Sequence, residues 1–252
     1  MSVRGLDESP PLTGAKAYRT LVAFAFLDEA AHLPCLLKRL DGWHTEDIVA
    51  VDNGSSDGSA DLVRAAGIEV LEEPVQGLGR CQKRIIHHAS ARRYDVLVFM
   101  AGNGKDDPRQ IKRLLQPILD GDSDYVQGSR FLAGGGYPRT PRFRVIAIRL
   151  LSRIFSLVTK RCCTDLTNGF RAYRLDLFDD SRINIDQAWL DQYEYEYYLH
   201  CKVHSLSYRV CEVPVTKSYP RNQSRSYSKI RPLSGWWSML RPFFYLATGI
   251  KR

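Results

Sequence analysis

Apolar residues fall in short, nearly unbroken runs along the first hundred positions: TLVAFAF at 20–26, DIVAVD at 47–52 and YDVLVFM at 94–100. Runs of that length, bounded by polar turns, predict strands buried on both faces. Between the first two, Leu33, Leu36, Leu37 and Leu40 recur at spacings of three and four, which predicts a helix from Glu29 to Leu40. Helices are also predicted over 59–66, 78–91 and 109–119, with a strand over 68–72. Turn formers punctuate the strand ends, NGSSDGS after Asp52 and AGNGKDDP after Met100. The alternation predicts an α/β fold, a Rossmann-like, mostly parallel sheet with helices on both faces. Ligands of such sheets bind beyond the carboxyl ends of the strands, where both polar clusters fall.

The second half is less regular. VQGSRFLAGGG (126–136) reads as a strand entering a Gly-rich loop, 143–160 as a basic amphipathic helix, and 165–174 as a turn entering a strand. A long helix is predicted over 186–203 and a strand over 208–215. Residues 1–18 read as a flexible leader and 19–252 as one domain: a donor-binding half (19–130), an acceptor half (131–232) and a terminal helix (233–252).

Charge narrows the partners. The 252 residues carry a formal charge of +8, which favours phosphates or an acidic membrane surface. Nucleic acid is not expected as a partner, because no aromatic residues interleave with the basic ones on a predicted sheet. Six cysteines lack metal-ligand spacing and read as reduced thiols, with cytoplasmic localisation expected. No apolar run reaches the length of a membrane span. Residues 235–250, with Trp236 and Trp237, suit either a membrane interface or a helix packed on the body of the protein.

Candidate chemistry clusters at the strand ends. Asp52 can accept hydrogen bonds from a base or ribose, and Gly54 allows the tight turn beside it. GLGR at 77–80 opens a helix whose free N–H groups could face a phosphate; Gln82 in place of a third glycine excludes a dinucleotide fingerprint.

Seven motifs occur in order: FLDE at 26–29, VDNGSSDGS at 51–59, GLG at 77–79, VFMAGNGKDDP at 98–108, GSR at 128–130, TDLTNGFRAYR at 164–174 and EVPV at 212–215. Together they resemble family 2 glycosyltransferases of GT-A fold, in particular the polyprenyl-phosphate (dolichol-phosphate mannose synthase-like) branch. The resemblance implies nucleotide contacts from Asp28, Glu29, Asp52, Asn53, Gly54, Gly79, Lys83, Gly102 and Asn103. It implies an acceptor-phosphate grip by Arg130, Arg144, Ser228 and Lys229, and a reaction centre lined by Asp165, Asn168, Gly169 and Phe170. Asp165 is the first candidate for a general base, with Asp191, Glu194 and Glu196 in reserve.

One departure stands out. The family places D-x-D, which holds a divalent cation, where this chain has Ala101-Gly102-Asn103. Either Mg or Mn is re-sited on Asn103 with Asp106 or Asp107, or no metal is used and Lys105, helped by Arg80 or Lys83, neutralises the leaving diphosphate. The implied reaction is inverting transfer from a UDP- or GDP-sugar, the nucleotide-sugar donor, to a polyprenyl phosphate at a membrane surface. Transfer to a hydroxyl acceptor such as a glycan or natural-product intermediate, and a non-catalytic nucleotide-sugar binder, are the alternatives.

Overall fold

The computed structural model describes residues 18–40, 42–44, 47–219, 234–248 and 250. Seven strands form one sheet: β1 (Thr20–Phe26), β2 (Ile48–Asp52), β3 (Glu69–Glu72), β4 (Val96–Ala101), β5 (Tyr125–Ser129), β6 (Arg171–Arg174) and β7 (Val210–Pro214). Their spatial order is β3-β2-β1-β4-β6-β5-β7. Only β6 runs against its neighbours β4 and β5; the other pairs are parallel, as the alternating pattern predicted.

The strands are apolar throughout because both faces are covered. On β1, Leu21 and Ala23 join a core with Cys81, Ile85 and Ile86 of α3 (Leu78–Ala91) and with Tyr195, Tyr198 and Leu199 of α6 (Glu194–Ser205). Val22, Phe24 and Phe26 point the other way, to Leu33 and Leu36 of α1 (Leu33–Arg39), Val63 of α2 (Ser59–Ala65) and Leu114 of α4 (Ile111–Leu119). Each large aliphatic side chain buried this way contributes about 1.5–3 kcal/mol.

Two helices flank this body. α5 (Arg142–Thr159) buries Ile148, Ser152 and Phe155. α7 (Ser234–Thr248) sets Phe243 against Phe155 and Tyr197, and Tyr245 against Trp189, while Trp237 and Phe244 remain exposed. The terminal helix thus packs one face on the body and keeps apolar side chains outside.

One prediction of length is corrected. The helix expected over 186–203 begins only at Glu194, preceded by a 3₁₀ turn at Ala188–Leu190. The segment before it lies across the start of α3, where Lys83 Nζ donates to the Gln187 carbonyl at 2.8 Å and Arg80 N to the Asp191 carbonyl at 3.2 Å. Those contacts take up carbonyl groups that a helix would use internally.

Candidate active site

Strand register brings the first two polar clusters together. Asp52 pairs with Phe26 and Ala101 with Ala25, so the loops after β2 and β4 emerge on either side of the β1 end. At ordinary strand spacing they are roughly 10 Å apart, as a shared cleft requires. The loop after β1 is knitted to the loop after β2. Ser56 N donates to Asp28 Oδ1 at 2.8 Å, Asp28 N to Ser55 Oγ at 3.0 Å and Glu29 N to Ser59 Oγ at 2.8 Å. Asp52 is half-buried and accepts from Ser55 N at 2.9 Å. Asp28, Glu29, Asp52 and Gly54 therefore share one rim.

Asn53 belongs to the same loop but serves the scaffold. Its amide donates to the Glu73 and Val75 carbonyls at 3.0 Å each and accepts from Gly77 N at 2.8 Å. A buried amide so engaged has little left for a nucleotide, which corrects that expectation. Asn53→Ala leaves those backbone groups unpaired and should cost about 1–3 kcal/mol, read as a lowered urea midpoint at unchanged slope.

Gly79 and Lys83 are also corrected. A Cβ at Gly79 would lie 1.9 Å from the Leu190 carbonyl oxygen, so the start of α3 is covered by chain rather than open to phosphate. Lys83 Nζ meets Asp191 Oδ1 at 2.7 Å, and Arg80 meets its other oxygen at 2.8 Å. Both cations are committed to holding the 187–191 segment. Gly102 sits where β4 leaves β1; its N donates to the Ala25 carbonyl at 3.0 Å, and a Cβ would come within 2.6 Å of that oxygen.

The loop after β4 turns a carboxylate inward and gathers cations. Asp106 is fully buried; Ala101 N donates to its Oδ2 at 3.0 Å and Lys217 Nζ to its Oδ1 at 2.6 Å. Asp107 is occupied in capping the next turn and pairing with Arg109. Asn103 Oδ1 accepts from Lys105 N at 3.3 Å. Neither aspartate is offered to a divalent ion, and among the described residues no three His, Cys, Asp or Glu side chains cluster as a metal site.

Lys105 is buried, with its ammonium 4.8 Å from the centre of the Tyr219 ring. Burial, together with the like charges of Lys217 and Arg144, pulls its pKa down to about 7. Arg144, from the first turn of α5, donates to the Tyr219 hydroxyl at 2.9 Å and lies 5.8 Å from the same ring. The sequence singled out Lys105 and Arg144 separately. The sequence does not single out Lys217 or Tyr219, which stand two and four residues past EVPV.

The turn at 164–170 engages two further candidates. Asp165 is 0% and Arg130 3% exposed. Arg130 Nε and Nη2 each donate to the Asp165 carboxylate at 2.6 Å, and Arg130 N donates at 3.0 Å. Both prongs of the guanidinium thus engage the Asp165 carboxylate in charge-assisted hydrogen bonds. Arg130 is likewise spent on Asp165 rather than on an acceptor phosphate. Glu212 of EVPV braces the turn, accepting from Thr164 N and Asp165 N at 2.9 and 3.1 Å; burial pushes its carboxyl above the ordinary range. Asn168 donates to the Gly128 carbonyl at 2.9 Å and accepts from Lys217 at 3.2 Å. The reserve acids are engaged too, Asp191 as above, Glu194 with Arg241 and Glu196 with Gln82. Ser228 and Lys229 lie outside the described residues.

Known proteins resemble this chain in sequence and fold. The undecaprenyl-phosphate mannosyltransferase of Micrococcus luteus is 32% identical over 205 residues, covering 79% of this chain and 83% of its own. The polyprenol monophosphomannose synthase of Mycolicibacterium smegmatis is 28% identical over 228 residues, covering 86% and 85%. Among solved structures, glucosyl-3-phosphoglycerate synthase from Mycobacterium tuberculosis, in complex with Mg2+ and UDP, superposes with a TM-score of 0.66 over 89% of this chain and 79% of that one, at 18% identity, a likeness of GT-A fold. The family model for glycosyl transferase family 2 matches residues 32–182, a span that takes in the loop after β2, the loop after β4 and the Asp165 turn. With that match and the relationship to the Micrococcus enzyme, the chain belongs to glycosyl transferase family 2.

Proposed function

We propose that this glycosyltransferase moves a sugar from a nucleoside diphosphate to a polyprenyl phosphate lying in a membrane surface. The observation that carries the reading is α5. Its inner face, Ile148, Ser152 and Phe155, packs on the protein. Its opposite face leaves Phe143, Ile146, Leu150, Ile154 and Leu157 half to three-quarters exposed, in a stripe spaced by three and four. Arg142, Arg149 and Arg153 flank that stripe, and Arg144 on the same helix reaches Tyr219 at the site. A helix that is apolar on its outer face and basic beside it suits an anionic lipid surface. The same helix would seat the lipid tail outside and the phosphate inside. No helix among the described residues is long and apolar enough to cross a membrane, so attachment would be at the interface.

The commitments of the acids support the same acceptor. A hydroxyl nucleophile needs a base to take its proton, and Asp165, Asp191, Glu194 and Glu196 are all bonded within the protein. A phosphate monoester is already ionised near neutral pH. The names of the Micrococcus and Mycolicibacterium relatives point to polyprenyl acceptors as well. On this reading the rim of Asp28, Glu29 and Asp52 faces the base and ribose, and Arg144 the acceptor phosphate.

The test supplies labelled UDP- and GDP-sugars with polyprenyl phosphate in anionic vesicles and measures label in the organic phase. Leu150→Glu with Leu157→Glu, both on the exposed stripe, should weaken vesicle binding by about tenfold or more while the melting temperature holds. Sedimentation equal to wild type, or label recovered only on water-soluble hydroxyl acceptors, would sink the lipid reading.

A further inference from the structure

We infer that the positive charge a divalent cation would bring to the leaving diphosphate is built into this chain, as the ammonium groups of Lys105 and Lys217 beside the guanidinium of Arg144. The inference rests on the transferase reading and adds to it how the departing charge is met.

The donor set at the loop after β4 does not fit Mg or Mn. Hard dications favour several charged oxygens. Ala101-Gly102-Asn103 carries no carboxylate, and Asp107 is held by Arg109. Asp106 has both oxygens taken, one by a backbone N–H and one by an ammonium. A dication at Asp106 would have to expel Lys217 and then sit beside Lys105 and Arg144, two further positive charges.

The cations, by contrast, are positioned. β7 continues past Pro214 and lays Lys217–Tyr219 over the loop after β4: Thr216 N donates to Gln110 Oε1 at 2.9 Å, and Ser218 N to the Lys105 carbonyl at 2.9 Å. Lys217 then reaches Asp106 and Asn168 with two of its three N–H donors. Lys105 and Arg144 share the Tyr219 ring. Lys217 and Arg144 thus both place positive charge on Lys105, against the carboxylates of Asp106 and Glu29. Like charges gathered in a largely buried place are unfavourable until an anion joins them. A pyrophosphate is such an anion, and lysine binds phosphate as a point charge.

The bonds balance without a metal or a redox partner. An acceptor phosphate oxygen bonds to the anomeric carbon, and the bond from that carbon to the β-phosphate oxygen breaks. Its electron pair leaves with the nucleoside diphosphate, where ammonium groups fixed beforehand meet the developing charge.

The test is nucleotide binding by calorimetry on chelator-treated protein, with UDP and with GDP, in EDTA and then with Mg2+ or Mn2+. Lys105→Met removes one charge. Lys217→Met alone would strand the buried Asp106, so the second variant is D106N/K217M, with circular dichroism to verify its fold; should it unfold, Lys105→Met decides. One of the nucleotides should bind in EDTA with little change on adding metal, and each variant should weaken that binding by about ten- to a hundredfold. Binding lost in EDTA and restored by metal overturns the inference and leaves the transferase reading standing. Variants that bind like wild type overturn it as well. Binding of neither nucleotide under any condition removes both.

Discussion

Arg130→Met is expected to lower the unfolding free energy by about 3–5 kcal/mol. The pair it breaks is among the most enclosed in the molecule: the Asp165 side chain has no exposed surface, and Arg130 supplies three of its hydrogen bonds. Removing the guanidinium leaves a carboxylate in the interior that still accepts from the Arg130 backbone N–H but has lost its counter-charge. Asp165→Leu has the converse effect, stranding the cation. Because replacing both charges by apolar groups is far less costly than removing one, R130M/D165L should recover most of the loss. Urea unfolding at unchanged slope provides the measurement. A double variant as unstable as the sum of the singles would show that the two charges do not stabilise one another. Against the ordinary 5–15 kcal/mol of a domain, either single change is severe.

Gly79→Ala should be the second large effect, and its sign separates local from tertiary reasoning. Gly79 lies in the first turn of α3, where alanine is the better helix former by roughly 0.5–1 kcal/mol. In the folded protein the new methyl would stand 1.9 Å from the Leu190 carbonyl oxygen and 2.8 Å from that of Gln192. Both obstacles are backbone, so α3 and the 190–192 segment must move apart. The expected outcome is destabilisation by about 3 kcal/mol, seen as a lower melting temperature. Ser90→Ala, on an exposed position of the same helix, should stay within about 0.5 kcal/mol of wild type. A Gly79→Ala protein as stable as that control would mean the approach of the two segments is looser than described. The displacement would also disturb Asp191 and its bonds to Arg80 and Lys83.

Chemical roles moved more than positions did between sequence and structure. The expected residues do gather: Asp28, Glu29 and Asp52 at one rim, Lys105 and Arg144 around Tyr219, Asp165 and Arg130 side by side. What changed is what several of them are free to do. Asp165 and Arg130 neutralise each other, Lys83 holds Asp191, Asn53 braces three backbone groups, and Asp106 binds Lys217. Motif order located these side chains because their positions follow from strand ends. Their partners lie 20 to 111 residues away along the chain, beyond any periodicity.

The sequence by itself determined the strands, most helices and the polar loops at the strand ends. Those depend on apolar spacing, turn residues and length, all local properties of the chain. It also determined that the loop after Met100 carries Ala101-Gly102-Asn103 where the family places D-x-D. The tertiary structure decided that β6 runs backwards, that 186–193 is not α-helix and that Lys217 pairs with Asp106. Each of these turns on which distant segment occupies a given space. A buried charge takes whatever counter-charge the packed chain brings within about 3 Å, and only the strand order β3-β2-β1-β4-β6-β5-β7 sets which one that is.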